Sequence, residues 1–485
     1  MTDRLYTSVE NFRGKLLYRG YENGRRIQQR ANFRPTLYVP SNKPTGWQAL
    51  DGTSVVPRPQ ESIRASRDFI EKYKGMPNFN VYGNIPPQYD FLNRAFPGTI
   101  DYNADLIRVG YLDIEVETRN GFAEPSEAWQ PITAISLKCG GTFYVFGLKD
   151  YEVRQDNVQY YLAEDEEDLI QQFLSTWRAL DVDVITGWNV QFYDIPYLVN
   201  RITNVFDEET ARKLSPWGHM TTRNAIIHGR EQVAMTLVGI AILDYLELYK
   251  KFTFTQQSSY KLNNIAHIEL GEEKVDYSEY GTLHDLYDND YQKFIDYNIQ
   301  DVELIERLED KMKFIEQAYA LAYSAKVNLN DVFSQVRMWD VMIHNYLYDR
   351  NIVIPQKTES KKDEKYAGAF VADPVVGMHE WVVSFDLASL YPMLIQQYNI
   401  SPETLTTQKF NVTIEDVIDR KASFRDGDVS VAANGHSFRR DIRGFLPEMM
   451  EMLYGQRKAF KQQMLEAEQE LVEIDKEIAR RNKEK

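Results

Sequence analysis

A few short segments carry side chains whose types and spacing suit catalysis. Asp113 and Glu115 stand two apart in a run, 106–116, rich in β-branched residues. On a strand both would point to one face. Paired carboxylates offer hard oxygen ligands to a divalent cation, though a strand with a charged solvent face gives the same pattern. Asp194 ends the string Asn189-Val190-Gln191-Phe192-Tyr193-Asp194 where a helix is expected to start, a place that also suits a simple helix cap. Tyr297 and Asp301 are four apart, one helical turn, and share a face.

A second set lies further along. Asp386 sits inside Ser384-Phe385-Asp386-Leu387-Ala388-Ser389-Leu390-Tyr391-Pro392. The pattern predicts an apolar strand ending at the aspartate, a tight turn and a helix. That arrangement fixes a carboxylate at a sheet end and turns the N–H groups of the turn and helix start, Ser389 and Leu390 among them, toward a phosphate. Tyr391, five residues on, is placed to close over a sugar. Arg457 and Lys461, four apart on a long expected helix, share a face. They form either a solvated basic stripe or a grip on phosphates, with arginine as a fork and lysine as a point charge.

The elements that must position these groups follow from periodicity. Residues 1 to about 105 read as a small α+β domain of short strands with Pro and Gly punctuation. From 106 the chain alternates strands (106–116, 132–137, 142–146, 182–189) with helices (166–180, 194–202, 291–310), which implies an α/β domain at 106–315. A helical stretch, 316–357, leads back to the N-terminal domain. A polar run at 357–365 reads as an exposed loop, a β-rich region at about 366–445, within a division at 358–445, carries Asp386, and a long helix from Pro447 fills the last division, 446–485.

Composition bounds the rest. A length of 485 residues calls for several domains, and 43% hydrophobic content supplies their cores. The single cysteine, Cys139, excludes an intrachain disulfide and fits a reducing compartment. No apolar run approaches membrane-spanning length and the N-terminus lacks an apolar signal region. A net charge of −16 weighs against nucleic acid as a partner. Local basic clusters, such as Arg25-Arg26 and Arg457-Lys458, and the carboxylates that a two-metal enzyme needs, weigh the other way.

Taken together, these strings resemble family B (alpha-like) DNA polymerases, and most of all the replicative polymerases of T-even-type phages. The Asp386 string resembles the family's motif A. The Asp113/Glu115, Asp194 and Tyr297/Asp301 segments resemble, in order, the three motifs of a 3′→5′ proofreading exonuclease of RNase H-like fold, in its tyrosine subtype. The resemblance implies that Asp113, Glu115 and Asp301 hold one metal, that Asp113 and Asp194 contribute to a second, and that Tyr297 orients the attacking water. Four carboxylates converging without a cation would repel one another, and a Mg²⁺ pair, for which Mn²⁺ substitutes, removes that conflict. Phe122, in Gly121-Phe122-Ala123-Glu124-Pro125, either stacks on a frayed base of single-stranded DNA or packs as an ordinary loop aromatic. In motif A the resemblance makes Asp386 a metal ligand with help from the Leu387 carbonyl. Tyr391 becomes the gate against a ribose 2′-hydroxyl, with Arg457 and Lys461 gripping the dNTP triphosphate. Tyr366-Ala367-Gly368-Ala369-Phe370-Val371 resembles the family's linking motif, with Ala369 in place of its second glycine.

The family's two later polymerase motifs, Lys-x-x-x-Asn-Ser-x-Tyr-Gly and Asp-Thr-Asp, do not occur in these 485 residues. Two expectations follow. Either the chain is a shortened form of a longer polymerase, or it is the N-terminal member of a split one, completed by a C-terminal fragment. The apolar positions of the final helix favour the second or a self-association. Expected partners are primer-template DNA, single-stranded 3′ ends, dNTPs once the site is completed, and a sliding clamp through the missing part, with no membrane. If phage-encoded, the protein belongs in the cytoplasm of a bacterial host. An alternative is a catalytically inert nucleic-acid-binding subunit, and a third is an exonuclease unrelated to polymerases, which leaves the Asp386 string unexplained.

Overall fold

The computed structural model of the chain describes residues 4–76, 79–119, 121–227, 230–272, 274–276, 278–355, 371–421 and 427–483. Most of the string at 366–371 and the polar run at 357–365 fall outside these residues. Contacts divide the chain into two compact units, Met1–Val39 with Pro57–Tyr348, and Pro40–Val56 with Asp349–Lys485. Helices and strands are mixed throughout, as the sequence implies. No helix among the described residues is long and apolar enough to cross a membrane.

In the first unit, Arg4–Phe12, Lys15–Glu22 and Arg25–Ala31 form an antiparallel meander. The helix Phe314–Ala325 and the short 3-10 segment Leu329–Phe333 return to it. The Tyr323 hydroxyl donates to the Tyr6 carbonyl at 2.7 Å, and the Tyr6 hydroxyl donates to the Val327 carbonyl at 2.7 Å. Asn328 exchanges two hydrogen bonds with the Val9 backbone, at 2.8 and 2.9 Å. Asp183, fully buried, ties this meander to the next layer. It accepts from Thr7 Oγ1 at 3.0 Å, the Tyr21 hydroxyl at 2.8 Å and both terminal nitrogens of Arg26 at 2.6 and 2.9 Å. A buried charge is tolerable only with such partners.

The centre of this unit is a six-stranded sheet in the order Val158–Leu162, Thr142–Gly147, Ile132–Cys139, Val109–Val116, Val184–Thr186, Ala241–Ile242. Val109–Val116 runs antiparallel to Ile132–Cys139 and parallel to Val184–Thr186. Its side chains alternate. Leu112, Ile114 and Val116 enter a core with Leu169, Phe173, Ile195 and Leu198 from the helices Glu166–Leu180 and Asp194–Val205. Asp113 and Glu115 therefore lie on the opposite face. On that face the helix Tyr291–Met312 packs Phe294, Ile295, Ile299 and Val302 against Ala134, Phe143 and Val145. Gly187 lets the chain pass tightly under the sheet: a Cβ there would stand 2.5 Å from the Leu112 carbonyl oxygen.

In the second unit, Leu405–Lys409, His436–Arg439 and Val429–Val431 form a three-stranded antiparallel sheet. The helix Leu390–Tyr398 packs on the long helix Phe445–Lys483. The segment Asn399-Ile400-Ser401-Pro402-Glu403-Thr404 caps the long helix. The Asn399 side chain donates to the Arg439 and Ile442 carbonyls at 2.6 and 2.8 Å and accepts from Gly444 N at 2.9 Å. Glu403 Oε1 accepts from Phe445 N at 2.6 Å. The bonds from Gly444 N and Phe445 N satisfy N–H groups that a helix start leaves unpaired.

One expectation is corrected here. The strand expected to end at Asp386 is not formed, and 371–389 carry neither strand nor helix. Val382, Val383 and Phe385 are 75%, 70% and 90% exposed. A strand needs a neighbour for its N–H and C=O groups and a surface on which to bury its apolar face, and no strand pairs with this run among the described residues. The turn and helix that follow are present: Ser389 adopts a left-handed conformation (φ 54°) and Leu390–Tyr398 is helical.

Candidate metal centre

Three elements bring the carboxylates together. The alternation of Val109–Val116 presents Asp113 and Glu115 side by side, and the face of Tyr291–Met312 lowers Asp301 onto them. Ligand oxygens of Asp113, Glu115 and Asp301 all lie within 4.8 Å of one another. Asp194 is the first residue of its helix, one past the N-cap residue Tyr193, whose side chain makes no capping bond. The Asp194 carboxylate turns back to the sheet, where Oδ1 accepts from Ile114 N, between Asp113 and Glu115, at 3.2 Å. Asp194 thus heads its helix and is also tied to the sheet beside Asp113 and Glu115.

Burial and mutual repulsion shape the charge state. Burial first, then Asp301, Glu115 and Asp194, push Asp113 well above the usual carboxylate range. Burial and Asp301 push Glu115 up to about 8. Burial pushes Asp194 up to about 7, against the backbone N–H of Ile114, which favours its charged form. Asp301 is also raised by burial, despite the ammonium of Lys274 and the hydroxyl of Tyr297 beside it. Lys274 Nζ bonds Asp301 Oδ2 and lies 3.1 Å from the Tyr297 hydroxyl, over the Tyr297 ring. Burial works against the Lys274 charge, but Asp301, Asp113 and Glu115 outweigh it and raise its pKa. Asp301 Oδ1 is buried without a hydrogen-bond partner. An orphaned anionic oxygen beside two more carboxylates fits a hard divalent cation.

The centre opens into a cleft of about 700 Å³ lined by Asp113, Trp188, Asn263, Lys274, Tyr297 and Asp301 among others. Phe122 is 70% exposed, its ring 5.8 Å from that of Tyr193, and both line a neighbouring cleft with Phe192 and Asn200. Phe122 is thus largely open to solvent, with Tyr193 as a ring neighbour. The loop before Asp194 is held by Asp244, which accepts from Asn189 N at 3.3 Å and Gln191 N at 2.9 Å while capping Tyr245–Phe252 through Leu246 N and Glu247 N.

The other set lies at the surface. Asp386, Leu387 and Tyr391 are exposed, as are Arg457 and Lys461 on the long helix. Asp386 joins no cluster of three metal-ligating side chains among the described residues. Sequence reasoning missed Lys274, whose position in Gly271-Glu272-Glu273-Lys274 has no distinguishing spacing. It also passed over Asn298, which lies between Tyr297 and Asp301, and the capping role of Asp244, which the Asp-x-x-Glu spacing to Glu247 signals.

A mixed sheet carrying two carboxylates on one face, met by one carboxylate from a helix start and one from the middle of a second helix, defines an acidic centre of the kind that RNase H-like exonuclease domains use. Comparison with known proteins places it. The profile "DNA polymerase family B, exonuclease domain" matches residues 84–265, and "DNA polymerase family B" matches 328–478. The DNA-directed DNA polymerase of Escherichia phage RB69 is 33% identical over 96% of this chain and 54% of its own length. That of Enterobacteria phage T4 is 28% identical over 98% and 55%. The DNA polymerase delta catalytic subunit of Bos taurus is 27% identical over 74% and 33%. The chain belongs to family B of the DNA polymerases. It spans about half the length of the phage relatives.

Proposed function

We propose that this chain shortens DNA from the 3′ end by metal-assisted hydrolysis, as the proofreading part of a DNA-directed DNA polymerase. The observation that carries the reading is the convergence of Asp113, Glu115 and Asp301 within 4.8 Å, with Asp194 bonded to the backbone between the first two. In this reading Asp113, Glu115 and Asp301 hold one Mg²⁺, and Asp113 and Asp194 share the second, with Mn²⁺ able to replace either. When bound, the pair supplies a hydroxide-like water and neutralises the leaving 3′-oxygen. Tyr297 orients the attacking water through its hydroxyl. Lys274 holds Tyr297 and Asp301 in place and sets positive charge beside a phosphodiester. Phe122, exposed and beside Tyr193, offers a ring on which an unpaired base stacks.

For synthesis, we propose that Asp386 and the Leu387 carbonyl bind metal, that Ser389, Leu390 and Tyr391 meet the incoming dNTP, and that Arg457 and Lys461 grip its triphosphate. Two-metal phosphoryl transfer needs more than one carboxylate, and the proposed source of the others is a C-terminal polymerase fragment acting as partner. The polymerase so completed would act on primer-template DNA and take its sliding clamp through that fragment. The functional divisions proposed are 1–105, 106–315, 316–357, 358–445 and 446–485.

The test is digestion of a 5′-labelled oligonucleotide with Mg²⁺, with Mn²⁺ and with EDTA, each with and without dNTPs on a primer-template. Stepwise shortening in either metal, none in EDTA and no extension support the reading. Shortening that persists in EDTA refutes the metal-assisted mechanism. A salt-sensitive DNA binder that never shortens DNA in any condition supports the inert-subunit alternative.

A further inference from the structure

We infer that Asn298 is a positioning residue for Asp113 and that Ser136 locks its amide in the orientation this requires. The inference rests on the reading of the carboxylate cluster as a metal centre. Asp113 and Ser136 are register partners on neighbouring antiparallel strands, so their side chains are adjacent on one face. Asn298, from the helix above, spans both. The Ser136 hydroxyl lies 2.5 Å from Asn298 Oδ1, and Asn298 Nδ2 donates to Asp113 Oδ2 at 2.6 Å. Ser136 and Asn298 are fully buried.

The chemistry of the three groups allows one arrangement. With a cation holding Asp113 ionised, its carboxylate only accepts, and an amide has one accepting and one donating end. Turning the amide over would set its oxygen against Asp113 and its NH₂ against the serine oxygen. The Ser136 hydroxyl, donating to Oδ1, holds the amide with its NH₂ toward Asp113. Oδ2 of Asp113 is thereby anchored and its rotamer fixed, and the other oxygen is left to face a cation. Asparagine suits this place because it donates without charge. Aspartate would add another carboxylate to a site already crowded with them, and lysine would compete with the metal. Outer partners of this kind set ligand orientation and metal affinity.

The experiment is a Mn²⁺ titration, followed by electron paramagnetic resonance, of the full chain and of Asn298→Leu, Ser136→Ala and the double variant, each checked for folding by thermal melting. Asn298→Leu should weaken Mn²⁺ binding by about 10- to 100-fold. Ser136→Ala should weaken it by about 2- to 10-fold, the worth of one hydrogen bond. The double variant should match Asn298→Leu alone, because serine acts through asparagine. Turnover on DNA should fall with KM unchanged. A folded Asn298→Leu with wild-type Mn²⁺ affinity overturns the inference, as do two losses that multiply independently. Should Asn298→Leu fail to fold, Ser136→Ala decides alone, and unchanged affinity overturns it. A wild-type chain that binds no Mn²⁺ removes the metal centre itself, which is distinct from an intact centre indifferent to Asn298.

Discussion

The carboxylates of the first unit and the lone Asp386 of the second start from sequence signals of similar clarity and end in opposite states. Asp113 and Glu115 ride on a strand with ladder partners on both sides, and two helices with filled apolar faces deliver Asp194 and Asp301 to them. Asp386 sits in an extended run whose apolar side chains are exposed. A site forms where every element beneath it has a neighbour. Motif residues without such neighbours keep their identity and lose their geometry.

The largest expected effect breaks the first half of that comparison. Asp301→Asn should lower 3′ shortening by about a thousandfold, by weakening metal binding while the fold remains. A gel time course measures it, and a loss of under tenfold would show that Asp301 is not a ligand. Tyr297→Phe should lower turnover by about a hundredfold, within the usual contribution of a positioned proton-handling group, with melting temperature unchanged.

Stability sharpens the comparison next. Ile195→Ala, in the core beneath Asp194, should cost about 3 kcal/mol, whereas Phe385→Ala, beside Asp386, should stay within about 0.5 kcal/mol. Denaturant melts of the two variants decide this, and equal losses would mean that the segment around Asp386 is packed.

The smallest effect is a pH dependence. Glu115 and Asp194 have folded pKa values raised to about 8 and about 7, so the folded state holds protons that the unfolded state has released. Their contribution to stability is therefore greatest near pH 4 and declines as pH rises from about 4.5 toward 8. In EDTA the wild-type melting temperature should fall over that range more than that of Asp113→Ala/Glu115→Ala. Mg²⁺ should offset the fall, and should bind more tightly as pH rises, because its ligands must lose protons. A melting temperature that rises with pH in EDTA would contradict the raised values.

Much of this could be read from the chain. The helix over 166–180 matches the observed Glu166–Leu180, which Asp165 caps, and Asp194 heads its helix as expected, because both segments carry a clear apolar stripe. The pairing of Asp113 with Glu115 followed from strand alternation alone. What stayed hidden depends on contacts between distant segments. Lys274 reaches Asp301 across 27 residues and Asn298 reaches Asp113 across 185, distances over which no spacing rule operates. The strand before Asp386 misled for a related reason: its β-branched, apolar pattern describes a preference for a sheet and does not supply the sheet.

The most direct measurement compares three proteins on one 5′-labelled primer in Mg²⁺: wild type, Asp113→Ala/Glu115→Ala and Asp386→Ala. Wild type and Asp386→Ala should shorten the primer at equal rates while the double variant leaves it intact. Shortening by the double variant, or its loss in Asp386→Ala, would contradict the assignment of hydrolysis to the assembled cluster.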